Sequence, residues 1–440
     1  MEAQLRPWLA AREAARVDEL LASFHDIAPE QVYEQVAQLM QRSEALFDYQ
    51  SLNLYAGTNI MDPRAQRVLH STLGSRPSLG YPGGKYEMGL QDAEAIETLC
   101  LSLARRLFDC AYVEFRVHSG SLANLYSYMA LAQPGDTIFA MPNSAAAHAT
   151  HREHGAAGWF GLRISDIPWD DEHLTVNLDG LAQAARLERP RVILIGGSLA
   201  LFPYPVREVR AIADEVGATV IYDAAHLSGL VAAGAFQRPL QEGAHIVTMS
   251  TYKSLGGPPG GLILTNDAAI AHRLEQIAYP GLTANFDLAR IAALTVTLAG
   301  FLRYGVEYAA MMRDNAQALA AALHAEGLLV VGSARGFTES HHVALAAQAY
   351  GGGDEASHLL EKCLIFASGI GIPGPAATGT YNGLRFGTQE ITRWGMQPTD
   401  MPFIACAIAD CLLQRKSTEV ILHDVSDFRS RFQTLHFVLD

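Results

Sequence analysis

The chain is short of cysteine, of positive charge and of long apolar runs, and each shortage narrows what it does. Its five cysteines, Cys100, Cys110, Cys363, Cys406 and Cys411, are scattered. None forms a Cys-x-x-Cys pair, and an odd number suits no disulfide framework, so the compartment is expected to be reducing. Lys and Arg number 32 against 46 Asp and Glu, a formal net charge of −14. A nucleic acid or an anionic membrane would call for a basic face, so neither is an expected partner; the acidic surface serves solubility. Residues 1 to 24 have no apolar h-region and no small-residue cleavage site, and no apolar run approaches the length of a bilayer span. A cytoplasmic protein is expected.

What is present reads as an ordinary globular chain, 49% apolar and 18% charged. At 440 residues it is too long for one core. Residues 8 to 45 have apolar positions at helical spacing, broken near Ala28-Pro29, which predicts an N-terminal helical arm over residues 1 to 50. From about residue 90, short β-rich runs alternate with helices: strands at 112 to 117, 136 to 141, 192 to 195, 219 to 222, 246 to 249 and 262 to 264, and helices at 91 to 108, 121 to 132 and 206 to 216. This alternation predicts an α/β domain over residues 51 to 285, with a mostly parallel central sheet covered by helices on both faces. A helical stretch at 286 to 326, parted near Tyr304-Gly305, should lead into a smaller C-terminal α+β domain ending at residue 440. Its expected elements are strands at 328 to 331, 343 to 346 and 384 to 386, and helices near 354 to 367 and 399 to 414.

Chemistry gathers at the strand ends, where open α/β sheets place their sites. Lys253 stands in Ser250-Thr251-Tyr252-Lys253-Ser254-Leu255-Gly256-Gly257, between an apolar strand and glycines. In a desolvated pocket its amine becomes nucleophilic and is able to hold an aldehyde cofactor as a Schiff base. Asp223 ends the strand before Ala224-Ala225-His226, and a buried carboxylate there fits a protonated ring nitrogen. His226 is placed to donate to a phenolic oxygen of the same ring. His118-Ser119-Gly120-Ser121 opens a helix, whose amides and hydroxyls make a phosphate cradle or, alternatively, a plain serine cap. His148, His151 and His154 recur every third residue without a metal-binding pattern, so no metal site is expected, and His148 is read as stacking on an aromatic cofactor. Arg385, among apolar neighbours on a strand, is either a grip for a substrate carboxylate or half of a structural ion pair.

Taken in order, His118-Ser119-Gly120-Ser121, Asp223-Ala224-Ala225-His226, Ser250-Thr251-Tyr252-Lys253 with its Gly-Pro-Pro-Gly-Gly tail, and Arg385-Phe386-Gly387-Thr388 resemble serine hydroxymethyltransferase from about residue 55 to 412. The resemblance implies the fold-type-I architecture of pyridoxal 5′-phosphate enzymes, similar to aspartate aminotransferase, acting on small amino acid and aldehyde substrates as homodimers or homotetramers. It assigns Lys253 to covalent attachment of the cofactor, Asp223 to the ring nitrogen and His148 to the ring face. Ser198 and His226 would approach the phenolic oxygen. Ser119, Gly120, Ser121 and Ser250 would complete the cofactor site, and Arg385 and Tyr86 would bind substrate.

The departures concern other residues. The family's glutamate in Tyr-x-Glu-Gly-Tyr-Pro-Gly is Leu79 here, its Arg-Tyr-Tyr-Gly-Gly is Lys85-Tyr86-Glu87-Met88-Gly89, and Tyr252 and Pro259 replace a histidine and an arginine. The loop ahead of Arg385 is shortened to residues 373 to 382. Several of these positions serve the pterin, which leaves tetrahydrofolate an open second cofactor. The reading is cleavage or formation of the Cα–Cβ bond of a β-hydroxy-α-amino acid by a folate-independent aldolase or transaldolase, with Glu87, Tyr86 and His148 as candidate bases. The alternatives are a tetrahydrofolate-dependent hydroxymethyltransferase and a catalytically retired binding protein.

Overall fold

The computed structural model describes residues 6–376 and 380–439; the first five residues of the N-terminal arm, the centre of the 373–382 loop and Asp440 fall outside them. The chain divides into two compact units, residues 1–50 and 51–440. In the first, α1 (Ala11–Phe24) and α2 (Val32–Glu44) are joined through a 3₁₀ turn, Pro29–Gln31. Proline at the first position of that turn lacks only an amide that would be unpaired anyway, so it starts the turn after Ala28.

The second unit is built on a seven-stranded sheet. In chain order its strands are β1 (Tyr112–Glu114), β2 (Thr137–Ala140), β3 (Arg163–Asp166), β4 (Val192–Gly196), β5 (Thr219–Asp223), β6 (Ile246–Ser250) and β7 (Gly261–Thr265), arranged 1-7-6-5-4-2-3. Only β7 runs against its neighbours, so the sheet is mixed, with the other six strands codirectional. Every residue of β4, β6 and β7 is buried, as strands covered on both faces require. The edge strand β3, Arg-Ile-Ser-Asp, has a single apolar residue and gave no signal in the sequence. A three-stranded antiparallel sheet follows, β8 (His342–Ala346), β9 (Ser368–Ile370) and β10 (Gly383–Gly387), with β10 in the centre.

The structure corrects the sequence reading at four places. The helical stretch expected to part near Tyr304-Gly305 is one helix, α5 (Leu288–Ala325). A single glycine costs a helix only about 1 kcal/mol, and Gly305 is there for packing: a Cβ would stand 2.8 Å from the Phe301 ring. This helix is also long and apolar enough to cross a bilayer by length and composition, contrary to the expectation that no such run exists. Most of it is buried inside the protein, because its apolar faces meet the surrounding helices. Residues 328–331 form no strand, only a bridge from Val330 to Leu345 before Gly332, with φ +79, turns the chain away. The helix expected near 354–367 ends at Glu361, and Ile365–Phe366 pair instead with Leu52–Asn53.

One local device bears on the site. Gly80–Tyr81 and Gly84–Lys85 form a short hairpin beside α3 (Gln91–Phe108). Lys85 reaches back to Glu97 of that helix, Nζ to Oε2 2.7 Å, with both side chains almost wholly buried. Ser78 donates to the same carboxylate at 2.6 Å. Replacing Glu97 by Gln would leave a buried ammonium without its counter-charge, a change that typically costs about 3–5 kcal/mol. Urea unfolding of Glu97→Gln is therefore expected to show a midpoint well below that of the parent protein; an unchanged midpoint would mean the pair does not anchor the hairpin.

Candidate functional site

The C-terminal ends of the codirectional strands converge on Lys253. The chain leaves β6 at Ser250, and three residues later Lys253 is 6% exposed with Nζ 3.0 Å from His226 Nε2. Burial lowers its ammonium to about 8; the Asp223 charge opposes that shift and the Arg385 charge adds to it. His226 is fixed by its other nitrogen. Nδ1 lies 3.1 Å from the Ala56 carbonyl, so it carries the proton and Nε2 accepts, from Lys253 and from Arg385 Nη1 at 3.3 Å. Buried between two cations, this imidazole is held neutral, well below its ordinary pKa, first by burial and then by Lys253 and Arg385.

Asp223 ends β5 and is 2% exposed. Burial alone would raise its pKa, but the hydrogen bond and charge of His151 outweigh it and hold the carboxyl well below the usual range. Oδ2 accepts from His151 Nε2 at 2.8 Å and from Asn124 Nδ2 at 3.0 Å; Oδ1 accepts from the Ala225 amide at 2.8 Å. Each partner is itself held: His151 Nδ1 lies 2.6 Å from the Tyr128 hydroxyl, and Asn124 Oδ1 accepts from Thr248 at 2.7 Å. His151, Asn124 and Thr248 were missed as site residues. The three-residue histidine repeat had flagged His151, but only as a metal candidate; its partner lies 72 residues away and local spacing does not reveal it.

The repeat comes apart in the fold. His151 is buried against Asp223, His154 is exposed, and His148 is half-buried with its ring 6.1 Å from His151. His148 Nδ1 accepts from the Thr150 amide, which leaves the proton on Nε2, and burial pulls its pKa down to about 4. Ser119 caps α4 (Gly120–Leu131), its Oγ accepting from the Leu122 amide at 3.1 Å, while Ser121 is exposed at the helix start. Gly120 lies against Ser250 so closely that any Cβ would collide with the serine hydroxyl. The serine cap and the exposed helix amides therefore coexist.

Arg385, in the central strand β10, is 5% exposed. It donates to the Ser198 carbonyl and to Ser368 Oγ at 2.9 Å, and Nε has no partner. Among the described residues no carboxylate pairs with it, so the structural ion pair weighed from sequence is not found. Burial lowers it to about 10, with Tyr55 and Tyr381 acting the other way. Tyr86 and Glu87 lie apart from this cluster on the hairpin arm. Tyr86 is 78% exposed, and Glu87 Oε2 accepts from the Leu79 amide at 3.0 Å. Among the described residues no hydrogen bond joins either to Lys253, His226 or Arg385.

These residues fit pyridoxal phosphate. A buried lysine with a depressed pKa suits attachment of an aldehyde, an ionised buried carboxylate suits a protonated ring nitrogen, and a helix N-terminus beside Ser250 suits a phosphate. The family model described as serine hydroxymethyltransferase matches residues 30–408. An alpha-methylserine aldolase of Ralstonia sp is 46% identical over 433 residues, covering 98% of this chain and 99% of that protein. One from Variovorax paradoxus is 48% identical, with 99% and 98% covered. A serine hydroxymethyltransferase of Methanopyrus kandleri is 38% identical over 388 residues, with 88% and 90% covered. The chain thus belongs to the serine hydroxymethyltransferase family of fold-type-I, pyridoxal-phosphate-dependent enzymes.

Proposed function

We propose that this enzyme is a folate-independent aldolase that cleaves α-methylserine, or a close α-substituted β-hydroxy amino acid, to alanine and formaldehyde, and runs the reverse condensation. The observation that carries the reading is similarity. Relatives named alpha-methylserine aldolase match nearly the whole chain at 46% and 48% identity, against 38% for a relative named serine hydroxymethyltransferase. Leu79 supports it, since an aliphatic side chain does no acid–base work.

Lys253 would hold the cofactor through its amine, and Asp223 would keep the ring nitrogen protonated. When bound, pyridoxal phosphate supplies the electron sink for the broken Cα–Cβ bond. Ser119, Gly120, Ser121 and Ser250 would hold the phosphate, Ser198 and His226 would approach the phenolic oxygen, and Arg385 would fix the substrate carboxylate. A base takes the β-hydroxyl proton, Cβ leaves as formaldehyde, and Cα is reprotonated to give alanine. His148 already carries a proton on Nε2, which favours stacking over accepting another. Glu87 is then the preferred base, with Tyr86 beside it at the substrate. Their separation from the Lys253 cluster within one protomer supports a homodimer or homotetramer in which the hairpin serves a neighbouring site. The two sheets support a cofactor domain over residues 51–285 and a smaller α+β domain within 286–440, beyond the arm at 1–50. Five free cysteines favour a reducing, cytoplasmic setting.

A tetrahydrofolate-dependent hydroxymethyltransferase is the second reading, favoured by the family match. Assays of α-methylserine, serine, threonine and phenylserine with and without tetrahydrofolate decide between them: formaldehyde release from α-methylserine without folate is expected, and a strict folate requirement would overturn the aldolase reading. Glu87→Gln should lower turnover by roughly 100-fold or more, the usual contribution of a positioned base, while cofactor absorbance persists; full activity would remove Glu87 from the chemistry. In apo-protein, the rate of pyridoxal phosphate uptake should climb as pH passes about 8, because only the neutral Lys253 amine attacks an aldehyde. A rise confined to pH near 10.5 would indicate an unperturbed lysine.

A further inference from the structure

The segment following Leu52–Asn53 crosses the site with its backbone held from several sides. The Ala56 carbonyl meets His226 Nδ1, the Gly387 amide donates to the Leu54 carbonyl at 2.7 Å, and Gln389 donates to the carbonyls of Tyr55 and Thr58. The Tyr55 side chain is not held in this way: among the described residues its hydroxyl makes no hydrogen bond. Its ring folds back over Gly57, where a Cβ would stand 2.6 Å from Tyr55 Cζ and 2.7 Å from the hydroxyl oxygen. Glycine at 57 is therefore what lets the ring lie there. The same ring is 5.9 Å from the Arg385 guanidinium carbon, and its phenol also acts electrostatically on Tyr252, next to Lys253. A part-exposed phenol with no protein acceptor among the described residues thus stands beside a buried guanidinium with no carboxylate partner among them.

We propose that Tyr55 is a substrate-binding residue, its hydroxyl donating a hydrogen bond to the carboxylate seated on Arg385. The inference rests on the reading of Arg385 as the carboxylate grip. A carboxylate has lone pairs enough for a guanidinium and one further donor, and a phenol oriented by ring packing gives up little freedom in binding it. The pairing also fixes which way the α-carbon faces, since two donors from different elements define the carboxylate plane.

The test uses holoenzyme and two ligands of matched shape, 2-methylalanine and isopropylamine, which differ only in the carboxylate. Binding is read by cofactor absorbance and by calorimetry. Tyr55→Phe should weaken 2-methylalanine by roughly 10- to 100-fold, the range for a hydrogen bond to a charged group, leave isopropylamine unchanged, and raise KM for α-methylserine more than it lowers kcat. Gly57→Ala, which pushes the ring aside but keeps the phenol, should shift 2-methylalanine in the same direction. Equal weakening of both ligands, or no change in either, overturns the proposal. Arg385→Lys separates the two ideas: if it weakens 2-methylalanine while Tyr55→Phe does not, only the role of Tyr55 fails, and if neither does, the carboxylate grip itself fails.

Discussion

Two cations, Lys253 and Arg385, are buried on either side of the neutral His226, the ionised carboxylate of Asp223 acts on the first of them, and the rest of the site is arranged around that imbalance. Isolated charges in a protein interior are expensive, and a fold keeps them only where something repays the desolvation. Among the described residues His226 is the group that contacts both cations, and it is neutral. Its Nδ1 proton is committed to Ala56, so Nε2 presents a lone pair to both. A histidine takes the edge off the repulsion without cancelling either charge. An anionic cofactor and an amino acid carboxylate would each bring negative charge to such a pair. On the roles proposed above, binding would offset both cations, and Lys253, its pKa drawn down by burial to about 8, would be the reactive amine.

The carboxylate side of the balance is built from a chain of fixed dipoles. Tyr128 orients His151, His151 and Asn124 orient Asp223, and Thr248 orients Asn124. These groups come from the helix after β1, the loop after β2, and the adjacent strands β5 and β6. Codirectional strands put all of these at one edge of the sheet, which is why residues far apart in sequence meet there. A carboxylate held by three donors stays ionised and stays in place, and both properties are needed to keep a ring nitrogen protonated.

The parts of this arrangement that sequence revealed are those with a local signature. Lys253 among glycines, Asp223 at the end of an apolar strand and Ser119 at a helix start are each readable from neighbours within a few positions. So were β4, β5, β6 and β7, whose buried runs are almost uninterrupted. Asn124, His151 and Tyr55 were not, because what distinguishes them is a partner across the fold: Asp223 for the first two and Arg385 for the third. Edge elements were hidden for the opposite reason. In β3 the sequence carries little preference of its own, and pairing with a neighbouring strand decides the outcome; Ile365 and Phe366 do favour a strand, but a run of two is too short to stand out beside the helix before it. Gly305 misled because a glycine that makes room for Phe301 looks the same in sequence as one that ends a helix.

The hairpin at residues 78–87 bears on which reaction this site performs. Leu79 and Glu87 are eight positions apart, yet the Glu87 carboxylate bonds to the Leu79 amide, and the Tyr86 amide donates to the Leu79 carbonyl. Relative to the family pattern, a carboxylate has left position 79 and another has appeared across the turn, tied to the main chain of that same residue. The buried Lys85–Glu97 pair fixes the geometry of the exchange by clamping the hairpin to α3. An aldol cleavage requires one base at the β-hydroxyl, and one well-anchored carboxylate is enough for it. Transfer to a pterin requires a second reactant to be bound and its own protons managed, and the resemblance ties the family glutamate replaced by Leu79 to that transfer. On the aldolase reading proposed above, a carboxylate placed on the hairpin without the family's glutamate at position 79 would suit a carbon fragment that is released rather than passed on.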